Sequence, residues 1–257
     1  MMRLPRLPAA LLCALPLWAF LAVPACAQPG FTPRAALDRL FEMEGASPFA
    51  SPHDGTLAFS ALDSRFATAN GHGYRNELKI AARERRPVAQ TREHFSATVT
   101  PLLPAGAKTI VAQYHVEGLD TIVKVYVQDT SEAKLLDGRA GNGVFDVVAR
   151  LRGAGGKDVT TALGTVRSGD SFRLDIRFDA GDAVVSVDSA AHGTLRAAGR
   201  IAGETRAIYF KFGDYLQALD PQTRKPTSDP GKWDAWFRQQ RIDAERVRFS
   251  HVIFERG

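Results

Sequence analysis

From about Thr56 onward the chain repeats one pattern. Short runs alternate apolar and polar residues, are rich in Val, Ile, Thr, Phe and Tyr, and are broken by clusters of Gly, Pro, Asp and Asn. Period-two alternation turns one side of each run to a core and the other to water, which is the pattern of antiparallel strands. It predicts strands over 94–100, 109–117, 121–128, 143–151, 171–178, 183–188, 207–217 and 246–255. Turn chemistry lies between them, as at Asp137-Gly138 and Ala180-Gly181-Asp182. Two stretches read as helical, Pro33 to Met43 and Trp233 to Ala244, too few for a bundle. With no internal repeat and no Gly/Ser/Pro-rich spacer, residues 28–257 are expected to form one all-β sandwich domain.

Some of the alternating faces are unusual. Over residues 74–80 one face carries Arg75, Glu77 and Lys79. Over 110–116 one face carries Gln113 and His115, while Ile110, Ala112, Tyr114 and Val116 take the other. Over 209–217 Tyr209, Lys211, Tyr215 and Gln217 share a face with Gly213 between them, and Phe210, Phe212 and Leu216 turn to the core. A solvated sheet face also alternates, but it collects Lys, Glu, Thr and Ser. These faces concentrate Arg, Gln, His and Tyr, which offer directional hydrogen bonds or a usable proton. Side by side they would line a groove suited to an extended anionic polymer. Lys124 and Tyr126 alternate similarly and would extend it or stand as solvated strand residues. Trp233, Trp236 and Phe237 read as pins holding a short helix to the sandwich.

Composition changes this picture mainly at the N-terminus. The 257 residues, 45% hydrophobic and 24% charged, exclude a disordered tail, a collagen or a coiled coil. Arg3 and Arg6, an apolar stretch from Ala9 to Val23 and an Ala25-Cys26-Ala27 ending read as a secretory signal peptide over 1–27, giving a secreted or periplasmic protein. Pro16 and the short apolar run disfavour a retained membrane span. Cleavage after Ala27 removes Cys13 and Cys26, leaving no disulfide, thiolate nucleophile or cysteine metal site. A cut before Cys26 would instead leave a lipid-modified end. The formal charge of +5 is compatible with a polyanionic ligand and proves none. There is no G-x-S-x-G elbow, no H-E-x-x-H and no phosphate-binding glycine loop. Asp137 to Gly143 has calcium-compatible oxygens but reads as a plain turn.

The three polar segments resemble the alginate lyases of polysaccharide lyase family 7, whose members show R-x-E-L-R, Q-I/V-H and Y-F-K-A-G-x-Y-x-Q segments in that order. Here they stand as Arg75-Asn76-Glu77-Leu78-Lys79, Gln113-Tyr114-His115, and Tyr209-Phe210-Lys211-Phe212-Gly213-Asp214-Tyr215-Leu216-Gln217. The resemblance implies a concanavalin-like β-jelly roll of two curved antiparallel sheets, with the active groove on the concave one. Lys79 replaces an Arg, keeping charge without the bidentate fork. Tyr114 replaces the Ile or Val that tracks uronate preference, and Phe212 replaces an Ala beside the catalytic strand.

The reaction implied is β-elimination on a polyuronate such as alginate: the C5 proton leaves, the bond to O4 breaks, and an unsaturated uronate end remains. The proton is poorly acidic beside a carboxylate, so that carboxylate must first be neutralised. Arg75 and Gln113 have the donors for this. His115, ordinarily near 6.5, can accept a proton, and Tyr215, ordinarily near 10, can donate one or serve as both base and acid. The resemblance points to the same four as catalytic. Glu77, Lys79, Lys211 and Gln217 are the expected substrate-binding residues, with Glu77 orienting Arg75 or Lys79. The elimination requires no metal or cofactor. The expected partner is the anionic polysaccharide, with no nucleic acid and a monomeric protein. Alternatives are a lyase on another polyuronate, such as glucuronan, and a non-catalytic carbohydrate-binding sandwich.

Overall fold

The computed structural model describes residues 30–130, 136–153 and 155–257. The leader read over 1–27 lies outside them. Helix α1 (Arg34–Leu40) runs directly into β1 (Phe41–Glu44), followed by β2 (Leu57–Phe59), α2 (Ala61–Ser64), β3 (Arg75–Ile80), β4 (Arg86–Pro87) and β5 (Arg92–Leu102). The chain continues through β6 (Lys108–Val116), β7 (Thr121–Gln128), β8 (Val144–Arg152), β9 (Asp158–Arg167), β10 (Phe172–Asp179), β11 (Asp182–Ser189) and β12 (Gly193–Arg200). It closes with β13 (Ala207–Leu216), α3 (Pro230–Gln240) and β14 (Arg246–Arg256).

The strands form two antiparallel sheets. One has eight strands in the order β1-β3-β13-β6-β7-β8-β9, with β4 also on β13; the other has six, β12-β11-β10-β5-β14-β2. Alternation along each strand fills the space between the sheets, where Phe95, Phe210, Phe212 and Phe249 are all buried. Phe95 packs 5.0 Å from Phe210 and 4.9 Å from Phe212, centroid to centroid. Such tilted and edge-on aromatic contacts add to the stabilisation from burial itself.

Two expectations about local structure are corrected. The first helix ends at Leu40, and the last residues assigned to it belong to β1, whose Phe41 is 5% exposed and packs against Phe212 and Phe254. The second helix spans Pro230–Gln240, capped by the Asp229 carboxylate accepting from the Gly231 N–H at 2.9 Å, and stops at Arg241 in the left-handed region. Strands β9 and β12, absent from the sequence reading, are outer strands of the two sheets.

The face assigned to Ile110 is also corrected. Between the paired residues Phe212–Ala112 and Tyr215–Ile110, two residues of β13 oppose the single Val111, and Val111 is also the extra residue against β7. This bulge puts Val111 and Ala112 both toward the inter-sheet core and brings Ile110 into a separate cluster with Tyr126, Val148 and Tyr215.

Candidate active site

Strand register assembles the site. Strand β13 is paired with β3 on one side and β6 on the other, so Tyr215 sits opposite Arg75, Lys211 opposite Lys79 and Gln113, and Tyr209 opposite His115. One row runs from β1 to β8: Glu42, Lys79, Lys211, Gln113, Lys124, Arg150. Four of its six members are cations.

Gly213 explains how two distant strands cooperate. It is opposite Glu77, at φ +146°, and a Cβ there would lie 2.3 Å from the Asn76 carbonyl oxygen. With no side chain at that point, Glu77 on β3 reaches past β13 to accept from the Gln113 amide on β6 at 2.5 Å. It also accepts from Arg75 Nη1 at 3.3 Å. Gln113 Oε1 in turn lies 3.0 Å from His115 Nε2. Because the amide nitrogen is committed to a carboxylate, its oxygen faces the imidazole, so Nε2 is the protonated nitrogen, and Thr121 Oγ1 lies 3.1 Å from Nδ1 and 3.0 Å from Nε2. On the other flank the Arg75 guanidinium lies 3.7 Å from the Tyr215 ring centroid. The Tyr215 hydroxyl accepts from the His72 backbone N–H at 2.7 Å. Arg75, Gln113, His115 and Tyr215 are thus joined in one continuous cluster, with Glu77 as its buried hub.

The other expected substrate contacts divide. Gln217 lines an adjoining cavity. Lys79 is partly exposed and binds Glu42 at 2.7 Å and Glu44 at 2.9 Å. Glu77 is fully buried and anchors Arg75 and Gln113 rather than Lys79, so it positions other groups instead of touching a ligand. Lys211 is only 4% exposed and is held by Glu44 at 2.6 Å. Its charge acts through space. Tyr114 and Phe212, the departures expected to bear on substrate, both point into the core: Tyr114 stacks on Phe178 and donates to Glu93 at 2.9 Å, and Phe212 sits among Phe41, Phe59 and Phe95.

Sequence reasoning missed Glu44, Thr121 and His72. Glu44 lies just past the run read as helix, on the four-residue strand β1. Burial would raise its carboxyl, but the charge and hydrogen bond of Lys211, with those of Lys79, outweigh that and hold it at about 2. His72 lies between Gly71 and Gly73, and a Cβ at Gly73 would sit 1.8 Å from the Leu216 carbonyl oxygen. Glycine is what lets this loop press onto β13 and deliver its N–H to Tyr215.

His115 is stacked on Tyr209 at 5.3 Å with an 8° interplanar angle. Burial, then the charges of Lys211, Arg75 and Lys124, push its imidazole down to about 3, so it is neutral throughout the physiological range. This corrects the expectation of an ordinary histidine near 6.5. It also fixes an expected result. As pH falls from about 6.5 toward 3 the unfolded chain binds a proton that the native one refuses, so stability declines through that window and is constant with respect to this group above it. Chemical denaturation of His115→Asn at successive pH values should show a shallower decline there than wild type. An unchanged slope would contradict the assignment.

A family model described as alginate lyase matches residues 32–255. The chain belongs to the alginate lyase family. An alginate lyase from Alteromonas sp. 272 is 35% identical, with a TM-score of 0.74 over 86% of this chain and 95% of that one. A structure named polysaccharide lyase family 18 aly-SJ02 is also 35% identical, with a TM-score of 0.74 over 86% and 96%. An alginate lyase from Pseudomonas aeruginosa shares the fold at 18% identity and a TM-score of 0.55, over 85% and 98%. No curated protein matches the chain. These likenesses agree with the jelly roll of two antiparallel sheets and make this lyase an enzyme acting on polysaccharide. No described helix is long and apolar enough to cross a membrane.

Proposed function

We propose that this lyase cleaves alginate by β-elimination in the groove centred on Tyr215. The observation that carries the reading is the joining of a guanidinium, a carboxamide, an imidazole and a phenol around one spot on a cation-rich face. Arg75 and the second N–H of the Gln113 amide neutralise the uronate carboxylate, so charge developing beside it at C5 is stabilised. The Tyr215 oxygen already accepts a backbone N–H, which leaves its own proton for the departing O4. His115 is neutral and therefore able to accept a proton. Burial is the first cause of its weakness as a base and persists in a filled groove; the further cause, the charges of Lys211, Arg75 and Lys124, is what an entering carboxylate would offset. A Tyr215 acting as both base and acid remains compatible with the same geometry.

This is the chemistry implied by the family 7 resemblance, although one of the 35% identical structures carries family 18 in its name. The leader read over residues 1–27 supports a periplasmic or secreted enzyme, where such a polymer is met. Incubation with polymannuronate, polyguluronate, mixed alginate and glucuronan should raise ultraviolet absorbance on alginate, and a chelator should leave the rate unchanged because charge neutralisation is supplied by Arg75 and Gln113. Absorbance rising only on glucuronan would move the substrate away from alginate.

A further inference from the structure

The cation row does not stop at the catalytic cluster. Beyond Gln113 it continues through Lys124 and Arg150, and there it meets a cavity of about 420 Å³. That is within the range of small-ligand sites. The cavity is lined by neighbours of the catalytic phenol, not by the phenol itself. His72, whose backbone N–H holds the Tyr215 hydroxyl, lines it, as does Gln217, two residues further along the chain. Tyr126, on another wall, is packed in one cluster with Tyr215. The far wall is Trp236 on α3 with Arg224, whose guanidinium lies 4.9 Å from the centroid of the indole.

The charges lining this space are unbalanced. Lys124, Arg150 and Arg224 border it, against Asp120, the one carboxylate among its described lining residues. Asp120 approaches Lys124 only to 3.8 Å, and Arg150 turns to Asp158 at 3.5 Å. Among the described residues Arg224 meets no carboxylate. It is exposed, and its backbone is in the left-handed region at φ +59° with its N–H donated to the Asp220 carbonyl at 2.8 Å, which fixes where the side chain leaves the loop. Burial and the charge of Arg150 push the Lys124 ammonium below its usual value, as expected of cations gathered with too few anions. Planar guanidinium donors and a flat indole wall are groups that suit a ring bearing a carboxylate.

We propose that this cavity is a second saccharide-binding site, which takes the carboxylate of a uronate unit away from the one being cleaved, with Arg224 as its distal anion ligand. The proposal rests on the alginate reading and adds to it that binding strength depends on chain length: a substrate long enough to reach Arg224 gains from it, and a shorter one does not. Trp233, by contrast, does pin the helix. It is fully buried and its indole N–H donates to the Thr227 carbonyl at 2.8 Å.

The test compares wild type with Arg224→Gln and Arg224→Lys on saturated alginate oligomers of increasing length, following kcat and KM separately and checking thermal unfolding of each variant. For oligomers above a threshold length Arg224→Gln should raise KM roughly ten-fold or more, the loss expected for one charge-assisted contact, with kcat little changed. On the shortest cleavable oligomer it should match wild type, and Arg224→Lys should recover part of the loss. Equal kinetics at every length would overturn the proposal, as would a uniform loss that includes the shortest oligomer. Should Arg224→Gln unfold at lower temperature, Arg150→Gln, which lines the same cavity and is not among the charges acting on His115, gives the same length-dependent readout. A wild-type enzyme that cleaves no alginate oligomer would overturn the functional reading itself, an outcome distinct from either of these.

Discussion

Tyr215→Phe should bind alginate as wild type does and turn it over roughly a hundred- to ten-thousand-fold more slowly. The substitution removes only the oxygen. The ring keeps its place in the cluster with Ile110, Tyr126 and Val148 and beneath the Arg75 guanidinium at 3.7 Å, so the groove retains its shape and its charge. What is lost is the acceptor of the His72 N–H at 2.7 Å and the proton that oxygen can hand to the leaving group. The effect should therefore fall on kcat, with KM for the polymer little changed. Calorimetric titration with polymer alongside steady-state kinetics separates the two. Retained turnover would remove Tyr215 from the chemistry, and loss of both binding and turnover would mean that the hydroxyl serves mainly to shape the groove.

The second large effect concerns a residue that never touches the reacting bond. Glu44→Gln should destabilise the protein by about 3 to 5 kcal/mol at neutral pH, the usual consequence of leaving a buried charge without its partner. Lys211, 4% exposed, has its ammonium 2.6 Å from Glu44, whereas Lys79 would still have Glu42 at 2.7 Å. The pH dependence follows in sign. The Glu44 carboxyl ionises at about 2 in the native protein and near its ordinary 4.5 when unfolded, so its stabilisation is complete above about 4.5 and disappears as pH falls through 2. Denaturation curves of wild type and variant should differ most at neutral pH and converge toward pH 2. A constant gap across that range would show that charge is not the reason for Glu44.

The same two residues mark how much of the molecule was legible in its sequence. Tyr215 was legible because β13 is long and one of its faces is continuously polar, and because the strand carries a specific motif. The pairing of β13 with β3 and β6 then converts three separate sequence faces into one surface. Glu44 was not legible. Four residues following a helix give too few alternations to identify a strand, and the significance of the carboxylate comes from cations 35 and 167 positions away in sequence. Strands β9 and β12 escaped for a related reason. Each is an outer strand of its sheet, and β12 buries only Ala197 along its eight residues, so there is little hydrophobic periodicity to read.

Where the sequence reading erred in direction, a long-range cause is identifiable. Period two carried unbroken through Val111 turns Ile110 to the core, but a bulge there reverses the phase. The sequence of β6 alone implies an ordinary basicity for His115, because neither its burial nor the cations from β3, β7 and β13 can be seen along it. Gly213 is the converse case: a small residue visible in the sequence, whose purpose becomes clear only when Glu77 is seen reaching across it to Gln113.

The most direct test of the whole account is the mass of the products formed from alginate by the purified enzyme in the presence of a chelator. Elimination predicts oligomers one water lighter than their hydrolytic counterparts, each with an ultraviolet-absorbing unsaturated end, and predicts that Tyr215→Phe makes almost none. Saturated oligomers carrying the extra water, or unsaturated ones produced undiminished by Tyr215→Phe, would contradict it.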